Sequence, residues 1–140
     1  MIEKTRVLFL CTGNSARSQM AEGLLRTLDP DRFEVFSAGT IASFVRPQAI
    51  AVMKEIGIDI SGHRSKSLDE FLDDEFDYVI TVCDHANQSC PVFSGPAKRL
   101  HWSVDDPVIS GSESEELASF RQARDELQQR IRKFIQENNA

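Results

Sequence analysis

The stretch "LFLCTGNSARSQMAEGLL" sets a thiol, Cys11, at the end of an apolar run and a guanidinium, Arg17, six positions later. A cysteine thiolate is a strong nucleophile, and an arginine fork binds tetrahedral oxyanions through paired charge-assisted hydrogen bonds. Between them lie Thr12, Gly13, Asn14, Ser15 and Ala16, small or polar residues suited to a tight loop. If that loop turns its N–H groups inward at the start of a helix, it forms an anion-binding nest. Cys11 is therefore the candidate nucleophile, and Thr12 to Ser18, with Arg17 foremost, the candidate oxyanion cradle. The positive surroundings favour the thiolate at neutral pH. Ser18 can donate its hydroxyl to the sulfur, and Asn14 can hold the loop by bonding its backbone.

Three further residues could complete such chemistry. Asp106 precedes Pro107 in "DDP", a turn that can bring a carboxyl group to the cradle as a general acid, although Asp-Pro alone is a common surface turn. Cys83 ends the apolar run "YVITV", and Cys90 follows seven residues later in "CDHANQSCP". Two unrelated loop thiols are one reading. A metal site made of Cys83, His85 and Cys90 is another, but Cys-x-His-x4-Cys lacks paired spacing and an obvious fourth ligand, so no metal is required. A thiol relay with Cys11 is the third.

Several elements must position these groups. Arg6 to Leu10 read as a strand buried on both faces. Met20, Ala21, Leu24, Leu25 and Leu28 recur at helical spacing from Ser18 until "DPD" at 29–31. Phe33 to Ser37 form a second strand closed by Gly39, and Ala49, Val52, Met53 and Ile56 line a helix with Pro47 near its start and Gly57 past its end. A short acidic helix is expected over Leu68–Leu72, a strand in "FDYVITVC", a polar loop from Asp84 to Pro96 and a shorter strand in "KRLHW". From Glu113 a long helix carries Leu117, Phe120, Leu127, Ile131, Phe134 and Ile135 on one stripe. Strands alternating with helices predict an α/β fold, a doubly wound sheet of about four parallel strands. Ligands of such sheets bind beyond the carboxyl ends of the strands, where Cys11 falls. Cys83 shares that edge if its strand neighbours the first.

The 140 residues are expected to form a single domain. A net charge of -6 argues against general nucleic-acid binding, and no apolar segment suggests a signal peptide or membrane span, so a cytoplasmic protein is expected, with monomer the default state. An odd number of cysteines fits reactive or buried thiols in a reducing compartment. His63 reads as a loop histidine satisfying backbone groups, His85 could tune the thiols, and His101 and Trp102 cover the sheet edge. The acidic run "LDEFLDDEFD" is a solvated face.

"CTGNSARS" resembles the phosphate-binding loop of low-molecular-weight protein tyrosine phosphatases, and "LCTGNSARSQMAEG" more closely resembles thioredoxin-coupled arsenate reductases of the same fold. The likeness continues through "SAG", "GIDISGH", "HW" and "DDP". The resemblance implies arsenate as substrate, phosphate and sulfate as competing anions, thioredoxin as partner, and a relay from Cys11 to Cys83 to Cys90. It also brings Asn14, Glu22 and Ser37 onto positions that surround a potassium ion in some of those reductases. Here Lys66 stands where they carry an aspartate; either the lysine ammonium replaces the ion and neutralises Glu22, or it is a solvated surface lysine. The alternative is a phosphatase for phosphotyrosine or a small phosphoester. Against phosphotyrosine, Val108 and Ile109 follow "DDP" where tyrosines would line a groove for the aromatic substrate. A non-catalytic anion- or metal-sensing module is a third reading.

Overall fold

The computed structural model describes residues 4–83 and 97–138. Four strands, β1 (Thr5–Cys11), β2 (Phe33–Gly39), β3 (Tyr78–Thr81) and β4 (Lys98–His101), form a parallel sheet in the order β2-β1-β3-β4. The helices are α1 (Arg17–Leu28), α2 (Pro47–Lys54) and α3 (Glu113–Glu137), with a 3-10 helix at Leu68–Phe71. This is the α/β architecture, about four parallel strands flanked by helices, that the sequence pattern predicts.

The strand order decides where a ligand can sit. The chain leaves β1 toward β2 on one side, then returns across β1 to build β3 and β4 on the other. A doubly wound sheet opens a crevice at such a reversal, at the carboxyl ends of the strands between which it occurs. Those strands are β1 and β3, which carry Cys11 and lead into Cys83. β1 is central, and Val7, Leu8, Phe9 and Leu10 are fully buried, as expected of a strand covered on both faces.

Helix α1 packs on β2, and α3 packs along both α1 and α2. The stripe of α3 buries Phe120, Leu127, Ile131 and Phe134, with Leu117 and Ile135 partly covered. Its start is fixed by a capping box: Ser112 Oγ accepts from the Glu115 amide, and the Glu115 carboxylate accepts from the Ser112 amide. Trp102 packs its ring against Phe9 and Phe134. Among the described residues no helix is long and apolar enough to cross a membrane.

Three boundaries differ from the sequence pattern. β3 is shorter than the apolar run, because Phe76 leaves the ladder to pack edge-on against Phe36 and Phe71. Helix α2 ends at Lys54, and Ile56 lies in the turn before Gly57 (φ 81°), exposed rather than on the core face. The acidic segment forms a single 3-10 turn, with Leu68 and Phe71 buried and Ser67 capping it through the Asp69 amide. His85 and Cys90 lie outside the described residues.

Candidate active site

β1 ends at Cys11 and α1 begins at Arg17, so residues 12–16 must turn the chain over the carboxyl edge of the sheet. Asn14 makes that turn with φ 47°, a left-handed conformation that asparagine tolerates better than most residues. Its amide is thereby brought 3.2 Å from Cys11 Sγ. The loop's carbonyls are held from outside. Thr12 O accepts from the Ile41 amide, Gly13 O from the hydroxyls of Ser43 and Ser65, and Ser15 O from the Arg46 amide. With carbonyls turned outward, the amide edge faces the crevice. The first turn of α1 carries no acidic side chain, so the positive end of the helix is left for an anion.

The resulting pocket, about 140 Å³, is lined by Cys11, Thr12, Gly13, Ser15, Ala16 and Arg17, together with Arg46, Asp106 and Val108. Arg17 donates from Nη1 to the Val104 carbonyl at 2.8 Å, which fixes the fork while leaving other N–H groups for a ligand. Asp106 accepts the Val108 amide at 3.0 Å, an Asx turn that holds its carboxylate at the rim. Asn14 and Ser18 do not line the pocket; both are fully buried beneath it.

Beneath the loop, one backbone donor orders a chain of protons. The Lys66 amide donates to Asn14 Oδ1 at 2.8 Å, so the other end of the Asn14 amide must be Nδ2. Nδ2 spends its two hydrogens on Ser18 Oγ at 2.8 Å and Ser37 Oγ at 3.0 Å. Both serine oxygens already accept, so both hydroxyl hydrogens are free to point onward. Ser18 directs its hydrogen at Cys11 Sγ, 2.8 Å away, and Ser37 directs its own at the Glu22 carboxylate. Cys11 Sγ thus faces one hydroxyl and one backbone N–H. Asn14 thus works through the amide of a residue 52 positions away and two hydroxyls, not through its own loop's backbone.

Glu22 is buried and sits among cations. Arg26 makes the direct hydrogen bond to Oε2, while Lys66 Nζ lies 3.9 Å from Oε1 and donates instead to the Arg64 carbonyl. Direct neutralisation of Glu22 therefore falls to Arg26, with Lys66 as a second, near cation. Burial pushes the Lys66 ammonium below its ordinary range, and Glu22 opposes that shift.

His63 bonds side chains rather than backbone groups. Gln19 Nε2 faces carbonyl oxygens of Asn14 and Arg64 and Asn14 Oδ1, all acceptors, so Gln19 Oε1 faces His63 Nδ1 at 2.9 Å. Nδ1 must then carry the hydrogen, and Nε2 accepts from Arg26 Nη1 at 3.2 Å. Burial lowers the His63 pKa from 6.5; Glu22 opposes this, and Arg26 and Lys66 add to it. A histidine held neutral by folding binds its proton more weakly than the unfolded chain does. Its stabilising effect is complete above about 6.5 and is lost as pH falls below that value. The melting temperature should accordingly fall between pH 7 and pH 5.5 more steeply in the wild type than in His63→Asn, whose amide keeps the Gln19 bond without titrating. Equal slopes would contradict a neutral His63.

Cys83 is brought to the same edge as Cys11. The Val82 amide donates to Leu10 O at 2.8 Å, and Thr12 Oγ1 lies 3.3 Å from Cys83 Sγ. Both cysteines are buried. The first residue of the anion loop therefore touches the second thiol. Among the described residues no group of three or more His, Cys, Asp and Glu side chains could hold a metal.

Sequence reasoning missed Arg46, Gln19 and the Lys66 amide. A signal existed for Arg46: in a parallel sheet every helix following a strand starts at the carboxyl edge, so the residue before Pro47 belongs beside Cys11.

Residues 6–140 match the family of low molecular weight phosphotyrosine protein phosphatases. An arsenate reductase of Halalkalibacterium halodurans is 45% identical over 136 residues, covering 96% of this chain and 98% of its own. A solved arsenate reductase in a phosphate-binding state superposes with a TM-score of 0.77 at 36% identity, over 95% of this chain and 98% of that one. A thioredoxin-dependent arsenate reductase of Corynebacterium glutamicum gives 0.74 at 30% identity, over 96% of this chain and 61% of that one.

Proposed function

The chain belongs to the low molecular weight phosphotyrosine protein phosphatase family, and from that premise we propose that it reduces arsenate to arsenite, as a cytoplasmic monomer regenerated by thioredoxin. The observation that carries this reading is the second buried thiol, Cys83, in contact with the first residue of the anion loop. Ester hydrolysis needs one nucleophile. Moving two electrons without a resident cofactor needs a second thiol to form a disulfide.

In this reading the loop amides and Arg17 bind the tetrahedral oxyanion. Cys11, supported by Ser18 and the Asn14 amide, attacks arsenic. Asp106 protonates the departing oxygen, which leaves as water, and a Cys11–arsenic(V) adduct remains. The Cys83 thiolate then attacks the Cys11 sulfur. The electron pair of the sulfur–arsenic bond stays on arsenic, arsenite departs as arsenic(III), and a Cys11–Cys83 disulfide forms. Cys90 attacks Cys83 and frees Cys11, and thioredoxin reduces the Cys83–Cys90 disulfide. Phosphate and sulfate share the tetrahedral shape and compete for the pocket. Lys66 and Arg26 supply the positive charge that Glu22 needs, so no potassium ion is required.

The second reading, a phosphatase, is favoured by Asp106 on the pocket wall, since nucleophile, cradle and acid also suffice for phosphoester hydrolysis. Val108 and Ile109 give an aromatic substrate no tyrosine to pack on, as the sequence indicates.

One reconstituted assay tests these points. Arsenate turnover is expected with thioredoxin and its reductase, at least about tenfold faster than with glutathione and glutaredoxin. Peptide mass mapping should find Cys83–Cys90 as the accumulating disulfide. Equal rates with both donors would overturn the thioredoxin assignment. Aryl-phosphate hydrolysis without arsenate reduction would select the phosphatase. Exchanging potassium for sodium should alter the rate by less than about twofold; a several-fold fall would remove Lys66 from its role.

A further inference from the structure

Arg46 is a charged residue of the pocket wall that neither the cysteine chemistry nor the anion loop uses. Because Pro47 follows it, its backbone is held extended (φ -65°, ψ 133°), just ahead of α2. Its amide is tied to the loop itself, donating to Ser15 O at 2.8 Å. Its guanidinium lies over the ring of Phe44, 5.2 Å from the centroid, and that phenylalanine is itself 56% exposed. Its side chain lines the same pocket as Cys11 and Arg17, and its Nε is buried with no hydrogen-bond partner. Among the described residues no carboxylate pairs with it. A buried donor without an acceptor, on a side chain that lines the pocket of Cys11 and Arg17, costs free energy that a bound anion can offset.

Charge counting gives the reason a second guanidinium is useful. A tetrahedral oxyanion with two negative charges must approach a thiolate, and Arg17 offsets only one of the three charges. Like charges at contact distance in a partly dry pocket repel strongly. We propose that Arg46, steadied by Phe44, is a second anion-binding guanidinium of this pocket and sets its preference for doubly charged tetrahedral oxyanions. This rests on reading the pocket as an oxyanion site, and not on arsenate being reduced there.

The test uses the full chain and its Arg46→Gln and Arg46→Lys variants, with inorganic phosphate as probe. Phosphate protection of Cys11 against iodoacetamide, followed on the Cys11 peptide by mass, gives a binding constant. Arg46→Gln should weaken it about tenfold and Arg46→Lys by less, since lysine keeps the charge but loses the fork. A second readout separates charge from structure: the ratio of Cys11 alkylation by anionic iodoacetate to that by neutral iodoacetamide. It should fall several-fold in Arg46→Gln and be retained in Arg46→Lys. A phosphate constant within about twofold of wild type in Arg46→Gln overturns the proposal. So does an unchanged alkylation ratio, or an equal loss in both variants. Wild-type protein that binds phosphate but does not reduce arsenate would sink the reductase reading alone.

Discussion

Cys83→Ser protein is expected to reduce arsenate in steady state roughly a thousandfold more slowly than wild type, with arsenic retained on Cys11. Serine keeps the size and the Thr12 contact but cannot form a disulfide, so the electrons needed to release arsenite have no source. The first displacement uses only the cradle, Cys11 and Asp106, and should still occur once per molecule. Rapid-quench mass analysis should therefore find an adduct on the Cys11 peptide in near-stoichiometric yield, where wild-type protein shows it only transiently. Turnover at the wild-type rate with thioredoxin would remove Cys83 from the chemistry. The geometry behind the expectation is the pairing of β1 with β3, which sets Leu10 beside Thr81 and carries the next residues of both strands to one edge.

The second large effect is on the frame of the loop. Gly39 ends β2 opposite Cys11, and a Cβ there would lie 2.6 Å from Thr12 O, 2.7 Å from Asn14 N and 2.8 Å from Ile41 O. All three are backbone atoms of segments pinned by other hydrogen bonds, so none can swing aside as a side-chain end would. Gly39→Ala should cost about 3 kcal/mol of stability and lower the melting temperature by about 10 °C. Because the Asn14 amide is one of the displaced groups, turnover should also fall, by roughly a hundredfold, as the sulfur loses a donor and the cradle its shape. Gly62→Ala is the control: nothing lies within 4 Å of its added carbon, and its melting point should stay near wild type. Similar melting points for the two variants would show that the loop yields more easily than its hydrogen bonds suggest.

These expectations draw unequally on the sequence. An apolar run ending in cysteine, a five-residue loop and an arginine opening a helix are local, and local patterns are what periodicity and spacing report. So Cys11, Arg17 and the alternation of strands and helices were legible. Asp106 was legible as a candidate only because Asp-Pro was weighed together with the cradle. The partner of Cys11 across the sheet was conditional, since β3 neighbours β1 only by a strand order that no spacing states. The groups under the sulfur were not legible. Lys66 acts on Asn14 through its amide, a donor every residue but proline has, and its side chain drew attention instead. The side-chain partners of His63, Gln19 and Arg26, come from a helix more than thirty positions away, so spacing around His63 does not reveal them. Arg46 carried no motif at all.

The Lys66 amide has a consequence for the chain before it is complete. Gly39 donates to the Lys66 carbonyl and bridges Ser67, so this segment docks along the end of β2 as a short added rung. Gln19 Nε2 and the Lys66 amide both donate to Asn14 Oδ1, so docking of this segment adds the second donor that keeps Nδ2 turned toward Ser18. The frame under the sulfur is thus closed by a residue 52 positions beyond Asn14, so the chain between them must fold before that frame is whole.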